Sequence, residues 1–470
     1  MKETVYEKPV ILPHSTGLAN KFGHTSSRQT MTRIDGVSVT ELIEKFGSPL
    51  FVFSEQRLRQ RYSEAHRAFS IRYPKVQFAW SYKTNYLDAV CSIFHEMGAH
   101  AEVVSEMEYE MARRLGVPAD KIYFNGPYKP EAALRQALVE GAHVHIDHYD
   151  ELYMAEAIAE EMGRQFEVSI RINMDTGIHP RWDRFGFNYA NGEAMNTVRR
   201  INAGGKLILA GLHSHIGTFI LDPEAYGRAA SKLAVMAKDI GRETGHPVKY
   251  LDLGGGFASR ATLHEQYAPG KDSVPSLEEY ADCITQAILG AGFTTEELPV
   301  LVLETGRSLV DDAGFMLTTV IGNKRLADGT RAVVIDAGVN VLFTSFWYRH
   351  DVVPVKDRDG MEENAVIYGP LCMNIDVVRP SIQLPPVEIG DPLVIKPVGA
   401  YNVTQWMQFI RLRPPVVLIG PDQQIDVIRE AETVDTVKGP ERLPERLRGS
   451  LDMVEATEDP TANYYRNLKN

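Results

Sequence analysis

Cysteine is scarce: only Cys91, Cys283 and Cys372 occur in a chain of 470 residues. Three thiols so far apart cannot build a disulfide framework, and a reduced, cytoplasmic protein is expected. Long apolar runs are missing too. No stretch approaches the roughly 20 residues of a membrane-spanning helix. The N-terminal MKETVYEKPVILPHSTG has no apolar core long enough for a signal peptide. Basic excess is also absent, because 50 Lys and Arg face 62 Asp and Glu, for a net charge of −12. Neither a nucleic acid nor a membrane is therefore expected as a partner. No metal is expected either.

What the chain does have is alternation. Hydrophobic residues make up 44% of it, enough for a large core. Eight short strand-like runs follow one another: FAWSYK (78–83), AEVVS (101–105), KIYFN (121–125), HVHID (143–147), EVSIRIN (167–173), LILAGLH (207–213), VKYLDLG (248–254) and LPVLVLE (298–304). Between them lie stretches with helical spacing, such as EMEYEMARRLG (106–116), PEAALRQALVEG (130–141) and ELYMAEAIAEEMG (151–163). Parallel strands buried on both faces read as such continuous apolar runs. Eight units in this length predict a closed (β/α)₈ barrel over residues 78–306, with a doubly wound open sheet as the alternative. After Glu304 the texture turns β-like and Gly/Pro-punctuated, which predicts an all-β domain over 307–430. Residues 1–33 read as an arm, 34–77 as a segment joining the β domain to the barrel, and 431–470 as a flexible tail. The run PLFVFS (49–54) is expected at the junction of the two domains.

In a barrel, catalytic groups gather at the C-terminal strand ends, and phosphates favour the loops after strands 7 and 8. Lys83 ends the first strand, HSHIGT (213–218) follows the sixth, Gly254, Gly255 and Gly256 follow the seventh, and ETGR (304–307) ends the eighth. Each has an ordinary explanation: a lysine snorkelling to solvent, packed histidines, a glycine turn, a salt-bridge glutamate. Together on one face they ask for a phosphorylated group with a carbonyl for Lys83 and a basic ring nitrogen for Glu304. Glycine amides and Arg307 suit the phosphate. Pyridoxal 5′-phosphate meets all three demands.

These motifs, in this order over roughly residues 35–425, resemble the fold III pyridoxal-phosphate decarboxylases of basic amino acids, closest in pattern to diaminopimelate decarboxylase. The resemblance implies a homodimer with shared sites and a role for each matched residue. YKTN is similar to the family's cofactor-lysine motif at Lys83, and GAHAEVVSEMEYE to the segment supplying an acidic neighbour, Glu102. His215 would stack on the cofactor ring and Thr218 would bind phosphate. LDLGGGF resembles the phosphate loop. Glu304 would hold the ring nitrogen, and Arg307 would lie near phosphate or substrate. GAYN would place Tyr401 on the phosphate. GPLCMNID (369–376) resembles the element whose cysteine, here Cys372, donates a proton in the partner subunit's site, with Asp376 beside it.

Two departures bear on the substrate. Met373 stands where the family has an acidic reader of the distal ammonium. Thr344 stands where an arginine reads a distal carboxylate, while Tyr348 is kept. A site built for a charged group discriminates strongly, and Met and Thr cannot supply that pairing. The expectation is an amino-acid decarboxylase acting on a modified or carrier-linked substrate rather than meso-diaminopimelate. The alternatives are diaminopimelate decarboxylation proper, a racemase on a similar barrel, and a non-catalytic look-alike. A carboxylate at the ring nitrogen strengthens the electron sink and speaks against the racemase.

Overall fold

The structure, a computed structural model, describes residues 30–448. Eight parallel strands form its centre: β1 (Val76–Ser81), β2 (His100–Val103), β3 (Ile122–Phe124), β4 (His143–Ile146), β5 (Phe166–Asn173), β6 (Leu207–His213), β7 (Tyr250–Asp252) and β8 (Val300–Thr305). Each pairs with its neighbour in sequence, and β8 returns to β1 through Glu304 opposite Ala79 and Thr305 opposite Trp80. The sheet is closed, which removes the open-sheet alternative. All eight strands fall on the runs read from the sequence.

Helices cover the outside, each bounded by local chemistry. Glu106–Arg114 begins at Ser105, whose hydroxyl accepts the Glu108 amide at 3.2 Å. Glu131–Glu140 ends on Gly141 in the left-handed conformation. At the N-terminal end of the barrel, Tyr123 and Tyr250 pack with Ala79, Ala210 and Val302 into a plug. The opposite end carries the loops.

The second unit is a sheet ordered Val377–Leu384, Glu363–Tyr368, Arg331–Ile335, Gly314–Arg325, Leu50–Ser54, Val416–Ile419, Ile425–Arg429. Leu50–Ser54 does not merely join the domains, as expected. It is an interior strand, antiparallel to Gly314–Arg325 and parallel to Val416–Ile419. All five of its residues are buried, which explains the unbroken apolar run. Of the expected arm, residues 1–29 lie outside the described residues, and Arg33–Ile34 pairs with Val37–Ser38. Of the expected tail, residues 449–470 lie outside them, but Val434–Lys438 and Glu445–Arg448 are helical. A capping box between Thr433 and Thr436 starts the first of these. Among the described residues no helix is long and apolar enough to cross a membrane.

Candidate active site

Lys83 lies just beyond β1, and β1 pairs with β2 so that Ser81 sits opposite Glu102. This register carries the lysine over a fully buried carboxylate. Lys83 Nζ lies 2.6 Å from both Glu102 oxygens, and Ser81 Oγ donates to Oε2. Burial would lower the Lys83 ammonium, but the Glu102 and Glu304 carboxylates outweigh it and hold the group above its ordinary value. A buried carboxylate is tolerated because a cation faces it.

Glu304 ends β8 and is also buried. Its Oε1 accepts from Asn125 Nδ2 and lies 3.0 Å from His213 Nε2, while Oε2 lies 3.8 Å from His215 Nδ1. The Gly255 amide donates to His215 Nδ1 at 2.9 Å, which fixes the ring and leaves its proton on Nε2. Burial pushes His215 down to about 3, so it is neutral at physiological pH.

The glycine triplet leaves no space for side chains. A Cβ on Gly255 would lie 2.3 Å from the Glu304 carbonyl oxygen, and one on Gly256 2.2 Å from that of Gly217. Gly256 also has φ +93°. Facing the triplet, Arg307 donates to Thr218 Oγ1 at 3.3 Å and to the Tyr348 hydroxyl, with its guanidinium 4.7 Å from the Tyr401 ring centre. Tyr401 holds φ +62°, a conformation that costs a non-glycine residue about 1–3 kcal/mol. Its amide donates to the Thr84 carbonyl at 2.8 Å, which ties the β domain to the loop carrying Lys83.

A cavity of about 410 Å³ connects these groups. Lys83, His215, Thr218, Gly255, Gly256, Glu304, Arg307 and Tyr401 line it. An amine, one buried carboxylate and an arginine beside close-packed glycine amides complement a carbonyl, a basic ring nitrogen and a phosphate. Pyridoxal phosphate fits that donor set. Glu102 supports Lys83 from beneath. Gly254 (φ +67°) lies outside the lining and shapes the turn, its carbonyl accepting the Glu304 amide at 3.0 Å.

Five further expected residues lie outside this lining. Thr344 is fully buried, and its hydroxyl contacts His350 Nε2 and Asn402 Oδ1, each at 3.0 Å. Within this chain these partners turn the Thr344 side chain into the β domain. Tyr348 is also buried, its hydroxyl taken by Arg307 rather than facing the cavity. The Asp376 carboxylate accepts the Val339 and Leu371 amides at 2.8 and 2.7 Å, so within this chain it folds its own loop. Cys372 is exposed on that loop and Met373 half-buried, and neither lines the cavity of its own chain.

Other lining residues were not singled out from the sequence: Asn125, Arg171, Trp182, Phe185, Trp347 and Gln405. Asn125 closes the third strand run, a position that could have drawn attention. Trp182 lies 5.4 Å from the His215 ring.

Residues 56–311 match the pyridoxal binding domain of the pyridoxal-dependent decarboxylases. The chain is 31% identical to diaminopimelate decarboxylase of Methanothermobacter thermautotrophicus over 432 residues, covering 88% of this chain and 96% of that protein. It is 28% identical to the Aquifex aeolicus enzyme of the same name over 419 residues, covering 87% and 94%. The crystal structure of diaminopimelate decarboxylase from M. jannaschii with L-lysine superposes with a TM-score of 0.81 at 30% identity, covering 88% and 96%.

Proposed function

This chain belongs to the pyridoxal-dependent decarboxylases, and on that premise we propose that it removes the α-carboxylate of an amino acid whose distal end carries no free ionic group. An acylated or carrier-linked side chain meets this description. The observation that carries the chemistry is that Lys83, Glu304 and Arg307 line one cavity at the C-terminal ends of the barrel strands. When bound, pyridoxal phosphate supplies an electron sink for the pair left behind by carbon dioxide.

The residues divide the work. Lys83 would hold the cofactor's carbonyl carbon, and Glu102 fixes that amine by its two short contacts. Glu304 would hold a proton on the ring nitrogen. His215, kept neutral and oriented by Gly255, would press on one ring face. Gly255, Gly256, Thr218, Arg307 and Tyr401 would bind the phosphate. In a dimer with shared sites, Cys372 of a second copy, with Asp376 shaping its loop, carries a proton from Sγ to the substrate's α-carbon.

The substrate reading rests on charge. Glu304 is the only acid lining the cavity among the described residues, and it is committed to the ring. The position expected to bring a distal acid holds Met373, and Thr344 faces its own domain. A free distal ammonium would find no carboxylate, a mismatch that costs discrimination rather than gaining it. The experiment is carbon dioxide release across a panel of free, Nω-acylated and carrier-linked amino acids, with meso-diaminopimelate included. A modified substrate should give the highest kcat/KM. The relatives' names favour a second reading, diaminopimelate decarboxylation proper, and meso-diaminopimelate leading the panel would establish that instead. Loss of optical activity without carbon dioxide would indicate racemisation.

A further inference from the structure

Beside Glu304, from His213 in the cavity wall inward, the barrel axis is polar where side-chain layers are usually apolar. His145 on β4, His213 on β6 and Asp252 on β7 are fully buried there, and their nitrogen and oxygen atoms lie with those of Glu304 within 4.8 Å of one another. The two imidazoles stand 4.8 Å apart, tilted by 34°. His145 Nδ1 is 4.0 Å from Asp252 Oδ2, and its Nε2 is 3.0 Å from the Tyr250 hydroxyl, which in turn contacts Ser169 Oγ at 2.6 Å.

His213 Nε2 comes within 3.0 Å of Glu304 Oε1 but off the line of a good hydrogen bond, so both of its ring nitrogens lack hydrogen-bond partners among the described residues. His145 Nδ1 and Asp252 Oδ2 lack them as well. Unpaired buried polar atoms destabilise a core, and apolar residues would fill this space at less cost. Burial keeps both histidines neutral and raises Asp252 well above the carboxylate range, with Glu304 adding to the shift.

The two oxygens of Glu304 are not equivalent. Asn125 donates to Oε1, and a small rotation of His213, which also lines the cavity, would let Nε2–H donate to the same oxygen. With both donors in place Oε1 would be held and Oε2 left as the free oxygen. We propose that His213, backed by His145 and Asp252, is a positioning residue that pins Glu304 Oε1 and so aims Oε2 into the cavity. This rests on the assignment of Glu304 to the cofactor's ring nitrogen.

The test uses the purified holoenzyme and three variants: His213→Leu, which removes the donor, His213→Asn, which keeps one, and Glu304→Gln. The readouts are the cofactor dissociation constant and the pH titration of the bound cofactor's absorbance. His213→Leu should weaken cofactor binding about tenfold or more and move the titration midpoint, and His213→Asn should restore most of both. A role in packing alone predicts equal loss of stability in the two variants with the midpoint unmoved, and that result overturns the proposal. One equivalent of bound metal, lost in His213→Leu, also overturns it, because the four groups would then be ligands. If His213→Leu does not fold, His145→Leu should move the midpoint in the same direction by less, and an unmoved midpoint there counts against the proposal. If Glu304→Gln leaves affinity and spectrum unchanged, the assignment of Glu304 fails. If it changes them while His213→Leu does not, only the positioning role fails.

Discussion

Replacing Gly255 with alanine tests the site through a single methyl group. The added Cβ would lie 2.3 Å from the Glu304 carbonyl oxygen, against an ordinary contact of 3.4 Å or more. That oxygen belongs to the backbone of β8 and cannot swing away. The Tyr226 hydroxyl, donating to the Gly255 carbonyl at 2.7 Å, holds the loop from the other side. Glu304 must therefore retreat by about 1 Å, a displacement that costs on the order of 100-fold in rate at a preorganised site. Overpacking should remove about 1–3 kcal/mol of stability as well. Steady-state carbon dioxide release at saturating cofactor, with thermal melts alongside, measures both effects. Gly290→Ala is the control, since that position ends the helix Leu277–Gly290 with nothing within 4 Å of the new Cβ. It should keep wild-type turnover. A Gly255→Ala enzyme within about threefold of wild type would refute the close-packed cradle.

Borohydride reduction of the holoenzyme should attach the cofactor irreversibly to the peptide containing Lys83, read by mass spectrometry; labelling of any other lysine removes its role. Glu304→Gln should retain cofactor but lose most turnover, and near-normal rates there would remove the reason for preferring decarboxylation to racemisation. Lys83→Ala and Cys372→Ala should each be nearly inactive alone, while subunit exchange between them should restore roughly a quarter of wild-type activity from mixed dimers; a mixture that exchanges by mass yet stays inactive excludes a shared site. His350 is pushed down to about 3 by burial, with Arg379 adding to it. The folded state thus binds fewer protons than the unfolded one between that value and the ordinary histidine range, so stability should fall as pH drops through this window and His350→Gln should flatten the acid limb of a pH–Tm curve.

The barrel was legible because strands buried on both faces must be apolar throughout, and eight such runs separated by helical periodicity leave few architectures. The strand ends then told where chemistry should gather, and Lys83, His215, Glu304 and Arg307 do meet in one cavity. Leu50–Ser54 was visible as an apolar run at a junction, but no local signal says which sheet such a run joins. The direction of the Thr344 side chain was hidden for a different reason. Alignment with a family motif gives a position along the chain, whereas its neighbours His350 and Asn402 decide which way the side chain turns. His213 was read as either core or site, and its burial against Glu304 makes both descriptions apply.

The placement of Leu50–Ser54 makes the barrel an insertion: residues 76–305 interrupt a sheet that begins before them and finishes after them. A ribosome delivers this strand first and its two partners last. The barrel's contacts are mostly between successive units and can form as the chain emerges, but LFVFS waits unpaired until residues 314–317 and then Val416–Ile419 arrive. Through that interval it is an apolar edge open to any passing strand. A chain stopped at residue 306 would hold a finished barrel and a permanent orphan, and trimming the chain through residue 54 would be needed to keep it from aggregating. The order of synthesis thus makes the first strand of this sheet the last to find its place.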